Sequence, residues 1–174
     1  MFLQMKINDQ TFTLVNLHRP NKGDPDFYDR VMGELKNTRS QELILTGDWN
    51  LVLNPEWDSQ NYEHINNPNC REKVIDMTNE LSLVDIWREL NAWCKRFTWK
   101  RSQPVLQQNR LDFFLIHENL AADVIATGIE PGYRSDHSAV TITFRFAKRV
   151  RGTITFRFAK RVRGKTFWNL IRAY

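Results

Sequence analysis

Apolar and polar residues alternate along Phe12-Thr13-Leu14-Val15-Asn16-Leu17, the period-two pattern of a strand. A looser alternation over 2–7, with the polar Asn8-Asp9-Gln10 between, predicts a β-hairpin. Arg19-Pro20-Asn21-Lys22-Gly23-Asp24-Pro25 has the composition of a loop. Asp24 before Pro25 reads as an N-cap followed by the first helical position, and Phe27, Val31 and Leu35 then share one helical face. That helix is expected to fade near Asn37, ahead of a strand over 42–46. Residues 51–69, rich in Asn and Pro, read as a long loop. Val74, Met77 and Leu81 give one face of a second helix from about Arg71, and a short amphipathic piece covers 83–90. Phe97-Thr98-Trp99, 111–117 and 139–147 are the remaining strong strands. Strands alternating with helices, then strands without them, predict an α/β domain built on stacked sheets.

One stretch is duplicated. TITFRFAKRVRG at 141–152 recurs letter for letter at 153–164, the mark of a recent in-frame tandem duplication rather than of a solenoid. Only one copy can directly extend the strand that follows His137, yet both alternate apolar and polar residues. The first copy is therefore expected in the strand slot, with the second pairing outside it or staying loose.

A chain of 174 residues with 41% apolar residues and six tryptophans is long enough for one domain with a substantial core. No apolar run is long enough to cross a bilayer, and the first residues lack the pattern of a signal peptide, so an intracellular setting, the nucleus included, is expected. Cys70 and Cys94 lack metal-ligand spacing and read as free thiols. The net charge of +5 is unevenly placed: residues 1–140 carry −5 and residues 141–174 carry +10. A basic tail of this kind suits a polyanion or is simply solvated.

The candidate chemistry gathers at strand ends. The run Leu43-Ile44-Leu45 stops at Gly47-Asp48-Trp49-Asn50, and Asp48 and Asn50, two apart, face one side if extended. Arg110-Leu111-Asp112 opens another apolar run, and Ser135-Asp136-His137 precedes a third. Carboxylates, an amide and an imidazole in such places suit metal-assisted hydrolysis of a phosphate ester. Each also has an ordinary structural reading. Asp48 and Asn50 can cap a turn, Asp112 can pair with Arg110 or Lys100, and His137 can be a packed histidine. Trp87, Trp93 and Trp99 read as core residues, and Trp49 as core or as a base-stacking surface.

Taken in order, TLVNLHRPN, LILTGDWN, LVDIWREL, FTWK, RLDFFLIHENL and GYRSDHSAV, over about residues 12–143, resemble the endonuclease/exonuclease/phosphatase superfamily. Within it they resemble the endonuclease domain of LINE-type non-LTR retrotransposons. The resemblance implies a four-layered α/β sandwich of two stacked, mostly antiparallel sheets flanked by helices. It implies a Mg²⁺-dependent DNA endonuclease, with Mn²⁺ as a possible substitute. It also implies, ahead of the first block, one strand carrying an asparagine and another carrying a metal-binding glutamate. Neither has a counterpart in this sequence, so the chain reads as the C-terminal part of such a domain at 1–144, followed by a basic tail at 145–174. Weakened metal affinity and impaired cleavage are expected, as is a homodimer or a separate N-terminal half as partner.

By the same resemblance Asp48 orients or deprotonates the attacking water and Asn50 holds the phosphate. Asp112 fixes the tautomer of His137, whose imidazolium faces the scissile phosphate, and Asp136 helps to bind the metal. Asn21 supports the phosphate-binding loop and Thr98 lies close to the DNA. His18 stands where the family commonly has tyrosine, with a shorter reach toward the phosphate. Two other functions fit parts of the sequence: a non-catalytic nucleic-acid-binding remnant acting through the basic tail, and a phosphatase of the same superfamily.

Overall fold

The computed structural model describes residues 1–7, 10–19, 24–38, 42–62, 67–132, 135–145, 153–160 and 166–173. In chain order the strands are β1 (Phe2–Ile7), β2 (Gln10–His18), β3 (Glu42–Asp48), β4 (Ser59–Gln60), β5 (Leu83–Asp85) and β6 (Trp99–Arg101). They continue with β7 (Gln107–Asn109), β8 (Asp112–His117), β9 (Val124–Glu130), β10 (Ala139–Phe144), β11 (Ile154–Lys160) and β12 (Thr166–Ala173). The helices are α1 (Asp26–Asn37), α2 (Pro55–Asp58), α3 (Pro68–Glu80) and α4 (Ile86–Leu90).

Five strands form one sheet in the order β1-β2-β3-β8-β5, antiparallel except for the β2–β3 pair. Its two faces follow directly from the alternation in sequence. Val15, Leu17, Leu43, Leu45, Phe113 and Leu115 point to one side and pack against Tyr28, Val31 and Leu35 of α1 and Cys70, Val74 and Met77 of α3. Phe12, Leu14, Ile44, Phe114 and Ile116 point to the other side, into a core shared with the second sheet. Among the described residues the layers are thus α1 with α3, the five-stranded sheet and the four-stranded sheet, the two stacked sheets of a partial four-layered sandwich.

Local signals explain the helices. The Asp24 carboxylate accepts a bond from Phe27 N (3.3 Å), so Asp24 does cap, although α1 starts at Asp26. The buried stripe is Tyr28, Val31 and Leu35, one residue round from the expected one, with Phe27 partly buried. Helix α3 begins at Pro68, where proline loses no helical hydrogen bond, rather than near Arg71. The expected loop 51–69 contains α2, capped by the Asn54 side chain, and the short strand β4.

The four-stranded sheet, in the order β12-β11-β10-β9, is antiparallel throughout. Here the duplication finds its place. The first copy begins within β10 and the second supplies β11, with Ile142 opposite Phe156 and Phe144 opposite Ile154. Thr143 and Thr155, equivalent residues of the two copies, share a 2.8 Å hydroxyl bond. The second copy does pair outside the first copy's slot, but it is not loose. Ile154, Phe156 and Phe158 are buried at 7%, 1% and 0% exposure, so residues 154–160 belong to the core and not to a solvated basic tail. An alternating strand fits any slot that offers one apolar face, which is why sequence left its position open. No helix among the described residues is long and apolar enough to cross a membrane.

If the second copy is core, Phe156→Ala and Phe158→Ala should each destabilise the chain by about 3–5 kcal/mol in urea denaturation. Changes within about 0.5 kcal/mol, as for an exposed side chain, would contradict this placement.

Candidate active site

Strand β3 ends where β2 and β8 flank it, and the register decides which side chains meet. Gly47 has φ 152°, and a Cβ there would lie 1.8 Å from the Leu17 carbonyl oxygen, so only glycine lets β2 close on β3. Parallel pairing sets His18 beside Asp48, and antiparallel pairing sets Asp112 opposite Asp48. His18 Nδ1 is 3.9 Å from Asp48 Oδ2. His137 Nδ1 donates to Asp112 Oδ2 at 2.7 Å. Asp48 and Asp112 are fully buried and His137 is 5% exposed. Each of the three offers a ligand atom within 4.8 Å of the others.

The Trp49-Asn50 turn is fixed from behind. Trp49 is buried, its indole donating to the Phe113 carbonyl (3.1 Å) and stacking on the Phe113 ring at 5.0 Å. It is a core residue and presents no surface for base stacking. Asn50, at φ 50°, donates its backbone N–H to Asp48 Oδ1 (3.1 Å) and its side-chain amide to the Arg19 carbonyl (2.6 Å). Buried Arg19 reaches back to the Asn50 carbonyl (3.5 Å) and to Cys70 Sγ (3.1 Å).

A second support carries His137 and Asp136. Backbone bonds Lys100 N to Asp136 O (3.0 Å) and Ser138 N to Thr98 O (2.6 Å) lace this segment to β6. The Ser135 hydroxyl accepts from His137 N at 3.1 Å. Gly132 is needed as well, because a Cβ there would stand 2.0 Å from the His137 carbonyl oxygen. Asp136 is exposed, and its Oδ2 accepts from the Trp99 indole at 3.2 Å. Thr98 is 1% exposed, and its hydroxyl oxygen accepts from both Leu111 N and Asp112 N at 2.9 Å. It thereby positions Asp112. Thr98, Asp136 and His137 line a cleft of about 360 Å³ whose rim carries Lys95, Arg96 and Lys100.

Burial pushes the Asp112 carboxyl up to about 6; the His137 bond opposes this and the nearby Asp48 carboxylate adds to it. Two buried carboxylates side by side need positive charge. The His137 bond meets part of that need, and the carboxylate oxygens fit a hard divalent cation. Among the described residues no glutamate joins the cluster.

Sequence reasoning missed a second buried network. Arg110, 1% exposed, binds Asp58 through two bonds (2.8 and 2.9 Å) and also pairs with Asp85, while Arg88 pairs with Asp58 as well. Arg110 lies over the Trp87 and Phe113 rings, 5.4 and 5.2 Å from their centroids. It directly precedes Leu111-Asp112 and so anchors the entry to β8. The signal available was two arginines and two aspartates close to motif residues, without any hint of which pair with which.

The cluster therefore brings together Asp48, Asp112 and His137, with His18 beside Asp48, Asn50 behind it, and Asp136 on the cleft. Asp112 pairs with His137 rather than with Arg110 or Lys100. Asn21 lies outside the described residues. Trp87 is buried as expected, Trp99 is half-buried on the cleft, and Trp93 is 81% exposed, so the core reading of Trp93 was wrong.

Burial alone would raise Asp58, but the Arg110 and Arg88 guanidiniums outweigh it and hold the carboxyl below the usual range. A depressed carboxyl contributes stability that is present above its unfolded value, about 3.9, and is lost as pH falls through its folded value. Asp58→Asn should cost about 3–5 kcal/mol at neutral pH by leaving buried Arg110 under-compensated. It should also flatten the fall of melting temperature below about pH 4. Equal acid limbs for both proteins would contradict the network's role.

No family model matches this sequence. The chain is 26% identical over 152 residues to the transposon TX1 uncharacterized 149 kDa protein of Xenopus laevis, covering 84% of this chain and 11% of that protein. Among solved structures, the 3′-5′ exonuclease NExo of Neisseria meningitidis superposes with a TM-score of 0.66 at 19% identity, over 83% of this chain and 65% of that one. An AP endonuclease from Archaeoglobus fulgidus gives 0.66 at 16% identity, over 82% and 64%. The endonuclease domain of TRAS1, a telomere-specific non-LTR retrotransposon, gives 0.63 at 16% identity, over 83% and 63%. The chain thus spans about a ninth of the transposon protein and a little under two thirds of each structure. The chain shares its fold with that exonuclease, that AP endonuclease and that retrotransposon endonuclease domain.

Proposed function

We propose that this chain is the nuclease portion of a retrotransposon-type protein and hydrolyses phosphodiester bonds in DNA with a divalent cation, Mg²⁺ by preference. The observation that carries the reading is the buried Asp48–Asp112–His137 cluster, whose His137 lines a cleft together with Asp136, Lys95, Arg96 and Lys100. Asp48 orients the attacking water and accepts its proton. Asp112 holds Nδ1–H of His137, so a protonated ring presents Nε2–H to the phosphate, where negative charge grows during attack. His18, beside Asp48, is a second donor for that phosphate. Asn50 acts through Asp48, since its amide N–H holds Oδ1 and its side chain ties down the Arg19 carbonyl. The cleft cations receive the flanking phosphates.

Asp136, with the buried carboxylates, would hold the cation, which supplies charge stabilisation to the phosphoryl oxygens. The setting that suits this substrate is intracellular, the nucleus included. A non-catalytic nucleic-acid-binding role remains the competing reading, and one assay separates the two.

With Mg²⁺ the chain should nick supercoiled plasmid, and EDTA should abolish nicking. Asp48→Asn, Asp112→Asn and His137→Ala should each lower the rate by about 10²–10⁴-fold. Equal cleavage by all four proteins would remove catalysis. Salt-sensitive binding without any nicking would favour the binding-only reading.

A further inference from the structure

Next to the cleft, outside the cluster assigned to chemistry, two indoles stand together at the surface. Trp57 of α2 and Trp93 in the turn after α4 meet edge to face, with ring centroids 5.7 Å apart and planes at 72°. Trp93 is 81% exposed, the most exposed large apolar side chain among the described residues. An indole exposed to that degree keeps at least one ring face open to water.

The turn that carries it is clamped. Arg88 Nη1 donates to the carbonyls of Asn91 (3.2 Å), Ala92 (3.2 Å) and Cys94 (3.0 Å), while Nη2 pairs with Asp58. The backbone on both sides of Trp93 is therefore tied to the buried Asp58–Arg110 network, and a ligand there meets a pre-ordered support.

Charge indicates what that ligand is. Lys95 Nζ lies 5.4 Å from the Trp57 ring centroid, and Lys95 also lines the cleft beside Arg96 and Lys100. The open Trp93 face, backed by half-buried Trp57 and adjoining a cationic groove, matches a polyanion built of flat rings, and each such ring can stack only when it is unpaired.

We infer that Trp93 and Trp57, with Lys95, form a stacking platform for an unpaired nucleobase of a DNA strand whose phosphates follow the Lys95–Arg96–Lys100 side of the cleft. This inference rests on the nucleic-acid reading of the cleft. It adds that the substrate carries a single-stranded segment next to the duplex. Duplex bases hide their faces in the helical stack and would not engage the platform.

The test is fluorescence anisotropy of the full chain in EDTA with two labelled DNAs: a duplex with a short unpaired overhang and the same duplex blunt-ended. Trp93→Ala should weaken overhang binding about ten-fold or more, and Trp93→Phe should retain most of it. Blunt-duplex affinity should change less than about two-fold, as expected for loss of stacking alone. Equal weakening on both DNAs, or a loss in Trp93→Phe as large as in Trp93→Ala, overturns the platform. Binding that ignores Trp93 overturns the platform and leaves the nuclease reading standing. Absence of binding to either DNA overturns both.

Discussion

Two carboxylates lie side by side because β3 and β8 are antiparallel in one particular register. That register puts Asp48 opposite Asp112 at the ends of two strands whose middles, Leu43–Leu45 and Phe113–Ile116, are apolar and buried. A slip by one residue would turn Phe113 and Leu115 away from the helices and toward the second sheet, so hydrophobic burial on both faces enforces the acidic pair. The unfavourable placement of two anions out of water is offset by His137 bonded to Asp112 and by the amide of Asn50 bonded to Asp48. Stability of the sheet and strain at the site are thus two results of one alignment.

The second buried charge network guards that alignment. Arg110 sits where β8 begins and is held from one side by Asp58 and from the other by Asp85 at the end of β5. Thr98 adds hydrogen bonds to the two amides that follow. The entry to β8 is therefore pinned by ion pairs, aromatic faces and a hydroxyl before Asp112 is reached. Arg88 extends the same network outward to the turn bearing Trp93, which links the interior to the surface beside the cleft.

Much of this was legible in the chain. Period-two alternation assigned β2, apolar runs assigned β3 and β8, and the order of the GDWN, RLDFF and SDH motifs selected Asp48, Asp112 and His137. Other features lacked a local signal. Val124–Glu130 is half-buried at most positions, so its alternation is weak and β9 was missed. The inward turn of Thr98 depends on amides 13 and 14 residues away. The fate of the second repeat was open because identical alternation suits either of two neighbouring slots. Trp93 was misread because aromatic character favours burial, whereas the Arg88 clamp holds its turn at the surface.

On the proposed reading Asp48, Asp112 and Asp136 hold one divalent cation, with His137 and His18 close beside it. Proton NMR of the four histidines during Mn²⁺ titration tests it most directly. His137 and His18 signals should broaden first, with His117, roughly 17 Å away at the far end of β8, much less affected. Asp136→Ala and Asp48→Asn should suppress that broadening. Equal broadening of all four rings, or selective broadening that survives both substitutions, would contradict the account.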